Sequence, residues 1–277
     1  MAESASGAAA RGSGTVIQTD GLTRVFGELV AVDRLDLTVD RGVIFGLLGP
    51  NGAGKSTTIK MLTTLLPPTS GRARVAGFDV EREARQVRRR IGYVPQLLSA
   101  DGNLTGGENL SLSARLYRVP AGERGPRISE ALAFMDLTDA RDQLVRTYSG
   151  GMIRRLEIAQ AMLHQPELLF LDEPTIGLDP VARRAVWDRL LDLKRRAAAT
   201  ILLTTHDMEE ADALCDRLAI MHQGTVALAG VPADLKRRLG AEATLEDVFI
   251  ETVGGSIEEG GTYRDVRRTR NTARRLG

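Results

Sequence analysis

Gly49-Pro50-Asn51-Gly52-Ala53-Gly54-Lys55-Ser56, with Thr57 next, fits the spacing G-x-x-x-x-G-K-[ST] between a short apolar run and a helical stretch expected to stop at Pro67 and Pro68. These residue types dictate a chemistry. Glycines let backbone N–H groups converge on phosphate oxygens, and a helix starting here turns its positive end towards them. Lys55 is placed to neutralise β and γ phosphates, and Ser56 offers the hydroxyl oxygen that Mg2+ takes while keeping most of its waters. Asp172 and Glu173 follow the apolar run Leu168 to Leu171. At a strand end such neighbours can divide the work, Asp172 holding a metal through water and Glu173 orienting or deprotonating an attacking water. His206 ends a third apolar run, where it can donate to a departing γ-phosphate, and Gln96, after Tyr93-Val94-Pro95, carries an amide that can reach metal or water.

The elements that must hold these residues are legible from periodicity. From Thr15 to Asp40 apolar residues alternate with polar ones, most clearly at Leu35, Leu37 and Val39, which predicts an antiparallel opening sheet with one wet face. Val43 to Leu48, Leu168 to Leu171 and Ile201 to Leu203 are instead nearly continuous apolar runs, expected of parallel strands covered on both sides. Each ends in glycine or polar residues, so one edge of that sheet gathers the chemistry. Between Gln96 and Gln165 the signals are helical, punctuated at Gly102, Asn103, Gly106, Gly107, Pro120 and Pro126. Leu218 to Ala229 reads as a hairpin around Gln223 and Gly224, followed by a short helix and the segment Thr244 to Val253. The Ala, Ser and Gly-rich residues 1–14 are expected to be a disordered leader. The tail from Arg264 to Gly277, with six Arg and one acid, is expected to be a solvated end, and the Arg82, Arg85, Arg88, Arg89 and Arg90 run a solvated helix face.

Composition narrows the classes. The 277 residues, 43% hydrophobic and 26% charged, suffice for a large core. Lys plus Arg number 37 against 36 for Asp plus Glu, and this formal charge of +1 lacks the basic excess of a nucleic-acid binder. A lone Cys215 forms no internal disulfide, in keeping with a reducing compartment. No apolar stretch approaches the roughly 20 residues that cross a bilayer as a helix, so work at a membrane would be done as a peripheral guest.

Taken together, the motifs resemble a known family. GPNGAGKST from Gly49, the Gln96 loop, Tyr148-Ser149-Gly150-Gly151-Met152, Leu168 to Pro174, Gly177-Leu178-Asp179 and His206 occur in the order and approximate spacing of an ABC transporter nucleotide-binding domain, over roughly residues 15 to 230. The resemblance implies an α/β P-loop NTPase with a RecA-like parallel core, an N-terminal antiparallel β-subdomain and an α-helical subdomain inserted at about 97–165. The ATP-binding domain would run over residues 15–240, with a short C-terminal extension and basic tail at 241–277. It further implies a homodimer in which each ATP, with Mg2+, lies between one chain's Gly49 to Thr57 loop and the other's Ser149, Gly150 and Gly151. Ser149 and the two glycines open an amphipathic helix read to His164, a second anion-binding helix start. Tyr148 and Met152 depart from the family's usual Leu and Gln, the latter at the cost of one amide.

By the same resemblance Phe26 stacks on adenine and Asp179 communicates across the dimer. A buried strand phenylalanine and a plain helix cap are the alternatives read from the residues. Glu108 and Asn109 look like a segment near the membrane partner. Thr244-Leu245-Glu246-Asp247-Val248-Phe249 and the YSGGM spelling are similar to ATP-binding subunits of drug and antibiotic exporters of the daunorubicin-resistance type. The expected partners are separate transmembrane permease subunits at the cytoplasmic face of the cell membrane, with no nucleic acid. A soluble ABC ATPase acting on DNA or ribosomes is the rival. Residues 57–148 are too short for the long coiled coil of its chromosomal members and show no sustained heptad, and the single cassette differs from the usual pair of its translational members.

Overall fold

The computed structural model describes residues 14–197 and 199–254. The leader expected at 1–14, apart from Gly14, and the arginine-rich tail at 264–277 lie outside the described residues. The elements run β1 (Thr15–Phe26), β2 (Leu29–Leu35), β3 (Thr38–Asp40), β4 (Ile44–Leu48), α1 (Lys55–Leu62), β5 (Ser70–Val75), β6 (Phe78–Asp79), α2 (Ala84–Arg88) and β7 (Ile91–Val94). Then come α3 (Gly106–Leu116), α4 (Ala121–Phe134), α5 (Gly150–Met162), β8 (Leu168–Asp172), α6 (Pro180–Ala197), β9 (Thr200–Thr205) and α7 (Met208–Leu214). The chain continues with β10 (Arg217–His222), β11 (Thr225–Gly230), α8 (Pro232–Arg237) and α9 (Leu245–Gly254).

Two sheets result. β1 pairs antiparallel with β2, β3 and β5, and β6 extends β5, so the opening alternation does mark one wet-faced sheet. The second sheet has the order β11-β10-β4-β9-β8-β7, all parallel except the β10–β11 hairpin. Successive side chains of its central strands point to opposite faces. Ile44, Leu48, Leu169, Leu171, Ile201 and Leu203 enter one apolar cluster with the inserted helices, while Phe45, Leu47, Leu168, Phe170 and Leu202 enter another with α1 and the antiparallel sheet. Both faces are covered, which is why these strands read as unbroken apolar runs.

Register then places the chemistry. Leu48 pairs with Thr205 and Asp172 with Thr204, so the chain leaves β4, β8 and β9 along one edge and brings Gly49, Glu173 and His206 together there. Helices α3, α4 and α5, with short 3-10 turns at Thr138–Ala140 and Val145–Thr147, form the helical insertion. Several boundaries differ from the reading of the sequence. α1 ends at Leu62, because Thr63 and Thr64 turn the chain before the prolines. α5 ends at Met162, short of His164, whose ring stacks on Tyr117. Pro126 lies inside α4 rather than ending it. Arg90 is no solvated residue either: its guanidinium lies over the Phe78 ring at 4.2 Å and pairs with Glu167 at 3.2 Å.

Candidate nucleotide site

The phosphate-type loop is braced from outside and tied from within. Gly49 N–H donates to Thr205 O at 3.2 Å and Gly224 N–H to Ala53 O at 3.1 Å, fixing the loop to β9 and to the β10–β11 turn. Gly54 caps α1 with φ 99°, and a Cβ there would stand 2.5 Å from Ala31 O, so both backbone and space demand glycine. Asn51 and Gly52 are exposed, Ser56 and Thr57 half-buried, and Lys55 is 5% exposed. Lys55 Nζ donates to Gly49 O at 2.7 Å and Pro50 O at 3.2 Å and pairs with Glu173 Oε1 at 3.1 Å.

The acids sit where β8 ends. Asp172 Oδ1 accepts from Ser56 Oγ at 2.9 Å and from Thr204 Oγ1 at 2.6 Å. The same Thr204 hydroxyl accepts from Glu173 N–H at 2.9 Å, so one side chain fixes the Asp172 carboxylate and the backbone of Glu173. Glu173 holds φ at 50°, a left-handed value that costs a non-glycine residue on the order of 1 kcal/mol. That conformation aims its carboxylate between Lys55 and His206, whose Nδ1 lies 2.9 Å from Oε2. The His206 ring is exposed, leaving Nε2 for another partner. Tyr93 is a neutral neighbour: burial, and then the Asp172 charge, push its phenol up to about 12. The side chains of Ser56 and Asp172, hard oxygen donors already 2.9 Å apart, fit Mg2+, which needs few protein ligands when phosphates and waters supply the rest.

Hydrogen bonds thus join Gly49, Pro50, Lys55, Ser56, Asp172, Glu173 and His206. Gln96, Phe26, Ser149, Gly150, Gly151 and Asp179 lie elsewhere in the chain and, among the described residues, make no hydrogen bond to that cluster. Gln96 is exposed at the start of the insertion. Phe26 is 43% exposed, so it is no buried strand residue, and the Arg24 guanidinium covers its ring at 4.5 Å. Ser149 Oγ accepts from Met152 N–H at 3.3 Å and caps α5, with Ser149 and Gly150 exposed. Asp179 Oδ1 caps α6 through Val181 and Ala182 N–H at 3.0 and 2.9 Å. Gly151 packs against that cap, where a Cβ would meet Ala182 Cβ at 2.7 Å.

One expectation changes on inspection. Asn109 is 2% exposed and bonds Asp101 N–H, Asp101 O and Thr105 O, which makes it an internal brace rather than a partner-facing group. Glu108 remains exposed, in a capping box with Thr105 whose N–H holds its carboxyl below the usual range. Tyr148 is an anchor, its buried hydroxyl donating to Ala140 O at 2.5 Å.

Thr204 and Glu210 are the functional-looking residues that sequence reading missed. Glu210, 1% exposed, accepts from Thr175 Oγ1 at 2.7 Å and Trp187 Nε1 at 3.0 Å, tying the turn after Glu173 to α6 and α7. Burial raises its pKa. A raised carboxyl favours the fold at low pH, and that contribution is lost as pH climbs through the folded-state value. Glu210→Gln keeps an oxygen for both donors without the buried charge. Its thermal midpoint is expected to gain on wild type as pH rises above the ordinary carboxylate range, by about 2–4 °C per kcal/mol relieved. Melting curves at rising pH check this, and a pH-independent difference would contradict it.

A strand-edge phosphate loop, a paired hydroxyl and aspartate, and a glutamate between lysine and histidine define the class of a P-loop nucleoside triphosphatase. Residues 32–176 match the family model described as ABC transporter, and the chain belongs to that family as an ATP-binding subunit of the kind that hydrolyses ATP. Over 225 residues it is 50% identical to the daunorubicin/doxorubicin resistance ATP-binding protein DrrA of Streptomyces peucetius, covering 81% of this chain and 68% of that protein. It is 38% identical to the linearmycin resistance ATP-binding protein LnrL of Bacillus subtilis (strain 168), covering 83% and 74%. A solved ATP-binding subunit of an ABC transporter superposes with a TM-score of 0.76 at 32% identity, covering 86% of this chain and 100% of that one. No helix among the described residues is long and apolar enough to cross a membrane.

Proposed function

We propose that two copies of this chain close head to tail on ATP, hydrolyse it with Mg2+, and drive separate transmembrane subunits that export a drug or antibiotic from the cytoplasmic face of the membrane. One observation carries the head-to-tail reading. The chain holds two helix starts suited to phosphate, and that of α5, with Ser149 and Gly150 exposed, is not hydrogen-bonded to its own Gly49 to Ser56 loop. The names of the DrrA and LnrL relatives support the drug cargo.

In this reading backbone N–H groups of residues 51–56 hold the phosphates and Phe26 stacks on adenine. Mg2+, held by Ser56 and through water by Asp172 and Gln96, would neutralise phosphate charge. A triphosphate offers Lys55 a more highly charged partner than Glu173 and leaves that carboxylate free to face water. As the water oxygen bonds to Pγ, the bond from Pγ to the β–γ bridging oxygen breaks, ADP takes the electron pair, and Glu173 accepts a water proton. His206 meets Glu173 through Nδ1, which leaves Nε2 to face the γ-phosphate. Ser149, Gly150 and Gly151 of the second copy complete the γ-phosphate shell, and Asp179, packed beside them, carries the signal between copies. Catalysis is mostly positioning and charge neutralisation.

The test is ATP-driven daunorubicin uptake by inverted membrane vesicles carrying this chain with its membrane subunits. Uptake that requires ATP and Mg2+ and vanishes in Glu173→Gln is expected. Uptake unaffected by removing ATP would contradict the reading.

A further inference from the structure

Two buried, oppositely charged side chains of α5 grip the Gln96 loop, and neither belongs to the nucleotide cluster. Arg154 donates from Nη1 to Pro95 O at 2.7 Å and from Nη2 to Gln96 O at 2.8 Å. Glu157, one turn further along, receives the Ser99 N–H, the Ser99 hydroxyl at 3.1 Å and the Ala100 N–H at 3.3 Å on Oε1. The two side chains pair at 3.1 Å and are 3% and 2% exposed. One limb of the loop is therefore held by its carbonyls and the other by its amides. Both grips come from a single helix.

The chemistry suits placement rather than stability. A guanidinium fork across two successive carbonyls fixes direction as well as distance, which a lysine cannot do. A buried ion pair is often no better for stability than apolar residues of the same volume. The charge of Arg154 is also felt by the site, since Glu157 and then Asp172 oppose the lowering that burial imposes on its pKa. The helix that carries this grip begins at Gly150 with Ser149 as its cap, so the Ser149 turn and the side chains that hold residues 95–100 share one helix.

We infer that Arg154 and Glu157 are positioning residues that lock the Gln96 loop to α5, so that movement of the Ser149 end of this helix sets where the Gln96 amide stands at the metal and the attacking water. This rests on the proposed role of Gln96. Neither residue touches substrate; both act through the loop.

The test titrates Mg2+ into the full chain at saturating ATP in Gln96→Ala, Arg154→Met and the double variant, reading ATP hydrolysis and, at equilibrium, the Mg2+ dependence of binding of a non-hydrolysable ATP analogue. Partners that orient a metal-facing group change metal affinity by about 10–100-fold when removed. Gln96→Ala and Arg154→Met are each expected to raise half-saturating Mg2+ by about tenfold or more, with KM for ATP at saturating Mg2+ unchanged. The double variant is expected to be no worse than Gln96→Ala alone, because both changes act on one amide. Arg154→Lys, which keeps the charge and can hold one carbonyl, should recover part of the shift, and it carries the same comparison if Arg154→Met does not fold. A wild-type Mg2+ titration in the Arg154 variants beside a shifted Gln96→Ala, or a double variant showing the product of both shifts, overturns the clamp and leaves the role of Gln96 standing. A wild-type titration in Gln96→Ala removes that role, and the clamp with it.

Discussion

Glu173→Gln is expected to bind ATP as tightly as the parent chain and to hydrolyse it about 10²–10⁴-fold more slowly, the usual worth of a positioned general base. The substitution is nearly isosteric, and the backbone N–H that fixes residue 173 to Thr204 is untouched. What is lost is the capacity to take a proton. The amide can still receive a hydrogen bond from Lys55 or His206, so the ground-state cluster survives. Single-turnover hydrolysis beside equilibrium binding of ATP separates the two effects, and wild-type turnover would remove Glu173 from the role of base.

Lys55→Ala acts at the other end of the same ion pair and is expected to fail at an earlier step. Two charge-assisted hydrogen bonds to phosphate are lost, and at about 1.5–3 kcal/mol for a charged bond the affinity for ATP should fall by about 100-fold or more. A second effect follows from burial. Glu173 is 5% exposed, and without Lys55 its carboxylate keeps only His206, so the apo chain should also be less stable near neutral pH. Adding Glu173→Gln to Lys55→Ala should restore stability but not affinity. Calorimetric titration with ATP and thermal melts of the single and double variants read both, and unchanged affinity in Lys55→Ala would count against the phosphate cradle.

Most of the core site was legible because its residues close strands. The runs ending at Leu48, Leu171 and Leu203 are apolar for want of any wet face, and the first polar residues beyond them mark the ligand edge. Gly54 was legible for a different reason: only glycine tolerates its φ and its contact with Ala31 O. Thr204, the first polar residue beyond Leu203, escaped because threonine is an ordinary strand former; only the register with Asp172 reveals its hydroxyl as the link between that carboxylate and the Glu173 backbone. Strands β5 to β7 went unassigned, since Ser70–Val75 shows too short an alternation and Ile91–Val94 is only four residues long. Arg154 and Glu157 look like ordinary charges on an amphipathic helix, and their burial depends on a loop 57 to 59 residues away in sequence. Asn109 shows the opposite error: a polar residue in a familiar neighbourhood turned out to be fully used inside the fold.

The grip of one triphosphate by two chains is tested most directly by the molar mass in solution of the Glu173→Gln chain with ATP and Mg2+, measured by light scattering with and without Gly150→Asp. An aspartate at residue 150 favours the positive start of α5 and asks the flexible end of Leu178, 3.3 Å from the new Cβ, to give by a few tenths of an ångström, yet it sets a negative charge where the second chain's phosphate is proposed to lie. The two-chain grip predicts twice the mass of one chain for Glu173→Gln and the mass of one chain once Gly150→Asp is added. A doubled mass that persists through Gly150→Asp, or that forms equally without ATP, would contradict it.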